Sequence, residues 1–157
     1  MQKITPFLWF DKEAVEAAKL YTSIFKDSKI KNQESFDNTP SGTTQIITIE
    51  LFGQEFQLMN AGPYFKFNEA VSFLIDCENQ EEVDYYWEAL TKDGGQESQC
   101  GWLKDKFGLS WQIVPRRLNE LMSDPDREKA DRVLQAMLQM KKIQIAGLEE
   151  AYTGHSI

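Results

Sequence analysis

Two glutamines have the spacing most suggestive of chemistry in this chain. Gln57 and Gln112 occupy the same place in two matching stretches, FGQEFQLM from Phe52 to Met59 and FGLSWQIV from Phe107 to Val114. A carboxamide is neutral and offers one carbonyl acceptor and two N–H donors, so it suits recognition of a polar head group better than proton transfer. Groups for acid–base or nucleophilic work are scarce. The single histidine, His155, stands at the extreme C-terminus, where chain ends are usually frayed. Ser110 and Cys100 therefore have no internal imidazole to activate them. Lysine or carboxylate bases remain open; Asp76, Glu78 and Asp105 qualify by chemistry, and each is also explained as a strand-end or turn residue.

The elements that must position these glutamines come in two similar sets. In the first half, KITPFLWF reads as a strand, and DKEAVEAAKLYTSIF follows with Ala14, Ala17, Ala18, Tyr21, Ile24 and Phe25 on one helical face and Asp11 as its cap. SKIKNQESF, rich in charge, reads as an edge strand; a polar loop around DNTPSG, the β-branched strand TTQIITIELFG and the strand QEFQLMN follow. The second half repeats the order. EAVSFLIDC is a strand and NQEEVDYYWEAL a helix with Val83, Tyr86, Trp87 and Leu90 at helical spacing, ended by DGG. GQESQC, GWLKDKFG and LSWQIVP then give three short strands, with Asp105 and Gly108 placed for a type I turn. A doubled βαβββ unit is the simplest reading. The class is α+β, with paired modules over 1–116 (about 1–62 and 63–116) forming a curled mixed sheet around a cleft, and a helical extension over 117–157, one domain overall.

Strand alternation sorts the side chains between faces. Phe56, Leu58, Trp111 and Ile113 point one way, toward the single helix of each half. Gln57, Met59, Gln112 and Val114 point the other way. The same argument adds Thr5, Phe7 and Trp9 from the first strand and Val71 and Phe73 from the fifth, giving an apolar, aromatic wall with two amides for a small organic ligand. Two plainer readings stay open: the glutamines are simply solvated, or Phe7 and Trp9 fill the groove as core.

Composition excludes several classes of partner. A net charge of −8 over 157 residues argues against nucleic acid or an anionic membrane surface, both of which attract basic patches. No apolar run approaches the roughly 20 residues of a spanning helix, and MQKITPFLWFDKE lacks a signal peptide's apolar core, so a cytoplasmic protein is expected. Cys77 and Cys100 are far apart and form no CxxC pair, which indicates free thiols rather than a disulfide framework. FDNTPSG and NAGP do not set a glycine-rich turn between strand and helix, the arrangement of many nucleotide-cofactor sites.

The stretches TPFLWFDKEAVEAAKLYTSIF, FKFNEAVSFLIDC, EEVDYYWEAL and GWLKDKFGLSWQIVP resemble the PhnB-like branch, often labelled demethylubiquinone methyltransferase-like, of the glyoxalase/bleomycin resistance/dioxygenase (vicinal oxygen chelate) superfamily. The resemblance runs from about Lys3 to Tyr152. It implies the glyoxalase/bleomycin resistance fold. In metal-dependent members a ligand comes from the first strand of each module (His or Gln) and another from the last (Glu). The last-strand positions here are Gln57 and Gln112, and the first-strand positions are Thr5 (or Pro6) and Val71 (or Ser72). Two amides, a hydroxyl and a valine supply neither imidazole nor negative charge, so no tightly held metal and no cofactor are expected.

The C-terminal extension reads as a helix over DPDREKADRVLQAMLQM, with Asp124 as cap, Pro125 at its first position, and Val133, Leu134, Met137, Leu138 and Met140 along one side. KKIQIAGLEEAY then breaks and restarts. Such a tail packs on its own sheet or clasps a second subunit; the resemblance favours a homodimer. Two functions follow as expectations. One is metal-free binding of a small apolar or aromatic molecule. The alternative is a small-molecule enzyme of lyase, isomerase or dioxygenase type with a weak metal site on Gln57 and Gln112.

Overall fold

Residues 2–154 are described by a computed structural model; His155, named above for its imidazole, lies outside them. The chain forms two compact units, Met1–Phe67 and Asn68–Ile157. Each contains one four-stranded mixed sheet with the same topology, so the doubled βαβββ pattern and the α+β class are observed.

In the first unit the order is β1 (Phe7–Phe10), α1 (Ala14–Ile24), β2 (Ser28–Thr39), β3 (Gly42–Leu51) and β4 (Gln54–Asn60). The sheet runs β1-β4-β3-β2, with β1 parallel to β4 and the other neighbours antiparallel. β2 lies at the edge, as its charges require. It reaches through Asp37 to Thr39, and the expected polar loop shrinks to a turn at Pro40 and Ser41. The predicted stripe of α1, Ala14 through Phe25, is buried, and its three alanines let the helix approach β3 and β4 closely.

Two details of this unit differ from expectation. β1 begins at Phe7, because the preceding segment pairs through a side chain: the Gln2 amide donates to Glu55 O (3.0 Å) and accepts from Glu55 N–H (2.8 Å). Asp11 does not cap α1. The Ala14 N–H donates instead to Asn60 Oδ1 at 2.7 Å, so the end of β4 supplies the acceptor that the first turn needs.

The second unit contains β5 (Ser72–Cys77), α2 (Gln80–Thr91), β6 (Gln96–Glu97), β7 (Trp102–Lys104) and β8 (Ser110–Pro115), in sheet order β5-β8-β7-β6. Asn79 caps α2 through Glu82 N–H (2.9 Å). Val83, Tyr86, Trp87 and Leu90 bury the face that covers Leu103, Trp111 and Ile113. Asp105 organises the β7–β8 turn. Its Oδ1 accepts from Phe107 N–H (2.9 Å) and Leu109 N–H (3.1 Å), its Oδ2 accepts from Trp111 Nε1–H (2.9 Å), and Gly108 takes φ +86°.

Three further helices complete this unit: α3 (Arg116–Met122), which sequence periodicity missed, α4 (Arg127–Leu138) and α5 (Ile145–Thr153). The cap of α4 is Asp126 rather than Asp124, since Asp126 Oδ1 accepts from Glu128 and Lys129 N–H. Val114, Leu118, Leu121, Val133, Ile143 and Leu148 form one buried cluster. The intervening chain is clipped to the turn before β7 by Cys100 N–H to Met140 O (2.7 Å) and Gly101 N–H to Lys141 O (2.8 Å).

α5 is tied back by a bidentate pair, in which Arg117 Nε–H and Nη2–H donate to Glu149 at 2.5 and 3.2 Å. This bond holds the Glu149 carboxyl below the ordinary glutamate value of 4.5. A carboxyl lowered in the folded state stabilises the fold above its unfolded value and loses that contribution as pH falls through the folded one. The urea midpoint should therefore fall on acidification below about pH 4.5, and Glu149→Gln should flatten that limb; both side chains are well exposed, so the effect is modest. An unchanged acid limb in the variant would refute the assignment.

Candidate functional site

The register of each sheet decides which side chains share a face. In the first unit Phe7 stands beside Gln57 and Trp9 beside Met59. Thr48 and Ile46 on β3 pair with the same two β4 residues. These side chains form a half-exposed face opposite the buried Leu8, Phe56 and Leu58. Trp9 Nε1–H donates to Gly62 O (2.9 Å), and its ring meets Phe65 edge-on at 4.8 Å, so the indole is fixed at the rim of this face. Thr5 lies half-buried just before β1. Among the described residues the Gln57 amide has no hydrogen-bond partner, which leaves its donors and acceptor to solvent or a ligand.

In the second unit the sequence reading of β5 is corrected by one residue. Phe73 pairs with Trp111 and its ring packs against it at 5.7 Å, so it belongs to the helix-covered face and not to the glutamine face. Val71 precedes the strand and is 63 % exposed. The side chains that flank Gln112 are Leu74, its direct neighbour on β5, and Trp102 on β7. Ser72 Oγ accepts from Gln112 Nε2–H at 2.9 Å. Within the strand Ser72 and Asp76 lie on the Gln112 side and Phe73, Ile75 and Cys77 on the other, with Leu74 alone out of pattern. The register of Gln112 with Leu74 was the missing information. Val114 points to the same side as Gln112 but is 6 % exposed, because α3 to α5 cover it. It serves that core.

The other chemical candidates resolve into structural parts. Asp105 is 2 % exposed and spends its oxygens on the turn. Asp76 Oδ2 accepts from Arg116 (3.1 Å) at the surface. The Cys77 thiol is buried, and that burial pushes it up to about 12, far from thiolate chemistry. Among the described residues no group of three or more His, Cys, Asp or Glu side chains is placed to hold a metal ion. No helix among them is long and apolar enough to cross a membrane.

A family model described as 3-demethylubiquinone-9 3-methyltransferase matches residues 2–114. The chain belongs to this family. A PhnB protein from Bacillus cereus, whose description has the same methyltransferase name, is 36% identical over 73% of this chain and 99% of its own, with a TM-score of 0.66. A protein from Pseudomonas aeruginosa (19% identity, 73% and 98% covered, TM-score 0.56) shares the fold. So does the fosfomycin resistance protein FosX from Listeria monocytogenes, solved with Mn(II) and a dihydroxypropylphosphonic acid (14% identity, 72% and 91% covered, TM-score 0.53). No curated protein matches. These neighbours fix the glyoxalase/bleomycin resistance fold for a member of the demethylubiquinone methyltransferase family, and the family match ends at Val114, where the C-terminal helices begin. The glycines weighed for a nucleotide turn sit elsewhere than between strand and helix. Gly42 closes the β2–β3 hairpin, and Gly62 follows β4 into a loop.

Proposed function

We propose that this protein binds a small organic molecule with an apolar or aromatic body and a polar head, on the sheet faces that carry Gln57 and Gln112, without a tightly held metal. The observation that carries the reading is the unpartnered Gln57 amide between Phe7 and Thr48, with Trp9 and Met59 alongside. An amide set among aromatic and apolar side chains gives orientation through hydrogen bonds and affinity through apolar contact. Gln112, with Leu74 and Trp102, repeats the combination. The same reading takes the protein as a homodimer and places it in the cytoplasm, where two free thiols suit a reducing compartment.

A thermal-shift screen of hydrophobic metabolites and antibiotics tests this. A ligand at about 100 times its Kd should add about 2.7 kcal/mol to stability. Gln57→Ala should weaken binding by about tenfold, the loss of one well-placed hydrogen bond in a desolvated site. Gln112→Ala reads the second face in the same way. Full stabilisation in both variants, or none by any compound in the unaltered protein, sinks the proposal.

A further inference from the structure

One row of the second sheet is polar from edge to edge. Gln96 on β6 is in register with Lys104 on β7, Lys104 with Ser110 on β8, and Ser110 with Ser72 on β5. The row borders a cleft of about 190 Å³ lined by Glu69, Gln96, Glu97, Trp102, Lys104 and Ser110 among others, with Glu97 Oε1 accepting from Trp87 Nε1–H at 2.6 Å. A single water needs only about 10–15 Å³ on this measure, so the cleft has room for a group of several heavy atoms. Ser110 is 1 % exposed, and its Oγ is the one buried side-chain polar atom without a hydrogen-bond partner among the described residues. An orphaned hydroxyl on a residue that borders a cavity, itself sealed from solvent, calls for a partner that supplies the missing bond once the side chain turns toward the cleft.

The internal repeat shows what chemistry fills this place. Aligning Gln57 with Gln112 sets Ser110 against Glu55, Lys104 against Glu50 and Gln96 against Lys29. In the first unit that row is closed by its own ion pairs, Lys31 with Glu55 at 2.5 Å and Lys29 with Glu50 at 3.5 Å. The second unit has a short serine where the first has the Glu55 carboxylate, and that serine lines the cleft. The ammonium of Lys104 remains, paired with Glu69, whose side chain is 61% exposed.

We propose that this cleft is a subsite for the carboxylate of a small-molecule ligand, held by the Ser110 hydroxyl, the Gln96 amide and the Lys104 ammonium. Glu69 is then the resident counter-ion that the ligand's carboxylate displaces. A cationic head would face Lys104, and a neutral hydroxyl would satisfy Ser110 while leaving the ammonium to Glu69. The inference deepens the binding function proposed above by naming the polar head, but it rests on side chains of the second unit other than Gln112.

Calorimetric titration of the full chain with sodium benzoate, benzamide, sodium acetate and inorganic phosphate tests it. Benzoate should bind about tenfold more tightly than benzamide, as expected for charge-assisted over neutral hydrogen bonds. Lys104→Met should abolish that preference, lowering benzoate to the affinity of benzamide. Ser110→Ala should weaken benzoate while leaving thermal stability unchanged or higher, because it removes a buried unpaired oxygen. Glu69→Gln should tighten benzoate by removing its competitor. Acetate binding as tightly as benzoate supports the subsite while counting against an aromatic body. Equal affinity for benzoate and benzamide, phosphate binding in preference to carboxylates, no binding of any carboxylate up to about 20 mM (a Kd too weak for a specific site), or a preference that survives Lys104→Met overturns the proposal.

Discussion

Asp105→Ala is expected to remove about 2–6 kcal/mol of stability, from two buried N–H donors left without an acceptor at about 1–3 kcal/mol each. The donors are the Leu109 amide and the Trp111 indole; the third, the Phe107 amide, is part-buried and can turn to water. Against a total of about 5–15 kcal/mol for an ordinary domain, the loss is large. Asp105→Asn separates geometry from charge. Asparagine keeps one carbonyl oxygen for the two turn amides but presents its NH₂ to the indole N–H, donor against donor, so it should restore only part of the loss. Urea denaturation followed by circular dichroism measures both variants. A midpoint for Asp105→Ala within about 1 kcal/mol of the unaltered protein, the scale of one ordinary hydrogen bond, would show that the turn does not depend on this carboxylate. Because β8 carries Ser110 and Gln112, the same variant should also lose ligand affinity through disorder of that strand.

Gly101→Ala attacks the second unit at another point. Gly101 has φ +85°, and a Cβ there would stand 2.8 Å from Ile143 Cδ1 and 3.0 Å from Ile113 O. Ile143 is fully buried, so moving its Cδ1 aside means repacking the core around it. The left-handed backbone costs an L-residue about 1–2 kcal/mol, and overpacking adds about 1–3 kcal/mol. At about 2–4 °C per kcal/mol for a chain of this size, Tm should fall by roughly 5–15 °C. Gly108→Ala is the control, since φ is +86° there and nothing lies within 4 Å of the added methyl. It should show the backbone cost alone. Equal losses at the two positions would mean that the contact with Ile143 contributes nothing.

The parts of this architecture with strong periodicity were legible in the sequence. The stripe from Ala14 to Phe25, the stripe from Val83 to Leu90 and the alternation of QEFQLMN each follow the burial that they implied, whereas in LSWQIV every residue but Gln112 is buried. Phe7, Trp9, Gln57 and Met59 share one face because β1 and β4 pair in parallel with Phe7 beside Gln57 and Trp9 beside Met59. β5 was placed in the wrong register. SFLIDC sets Phe73, Ile75 and Cys77 on one side and Ser72, Leu74 and Asp76 on the other, and the pairing with β8 puts Phe73 under the helix and Leu74 beside Gln112. The caps failed for a different reason: Asn60 serves α1 from 46 residues away in the chain, and no local signal announces such a partner. The polar row of Gln96, Lys104, Ser110 and Ser72 was invisible because each residue comes from a different strand, two of them very short. Val114 shows the limit of face assignment, since its side was correct and its environment was set by helices that follow it.

The cover over Val114 has a consequence for how the two copies can change over generations. Met59, its counterpart on β4, stays half-buried at the edge of an open face, where a side chain of another shape meets little resistance. Val114 is wedged among Leu118, Ile143 and Leu148, where one methylene too many or too few is felt. One position of the pair is thus free to drift and adjust what the face accepts, while its twin is locked to a single volume, and the duplicated halves cannot be exchanged for one another.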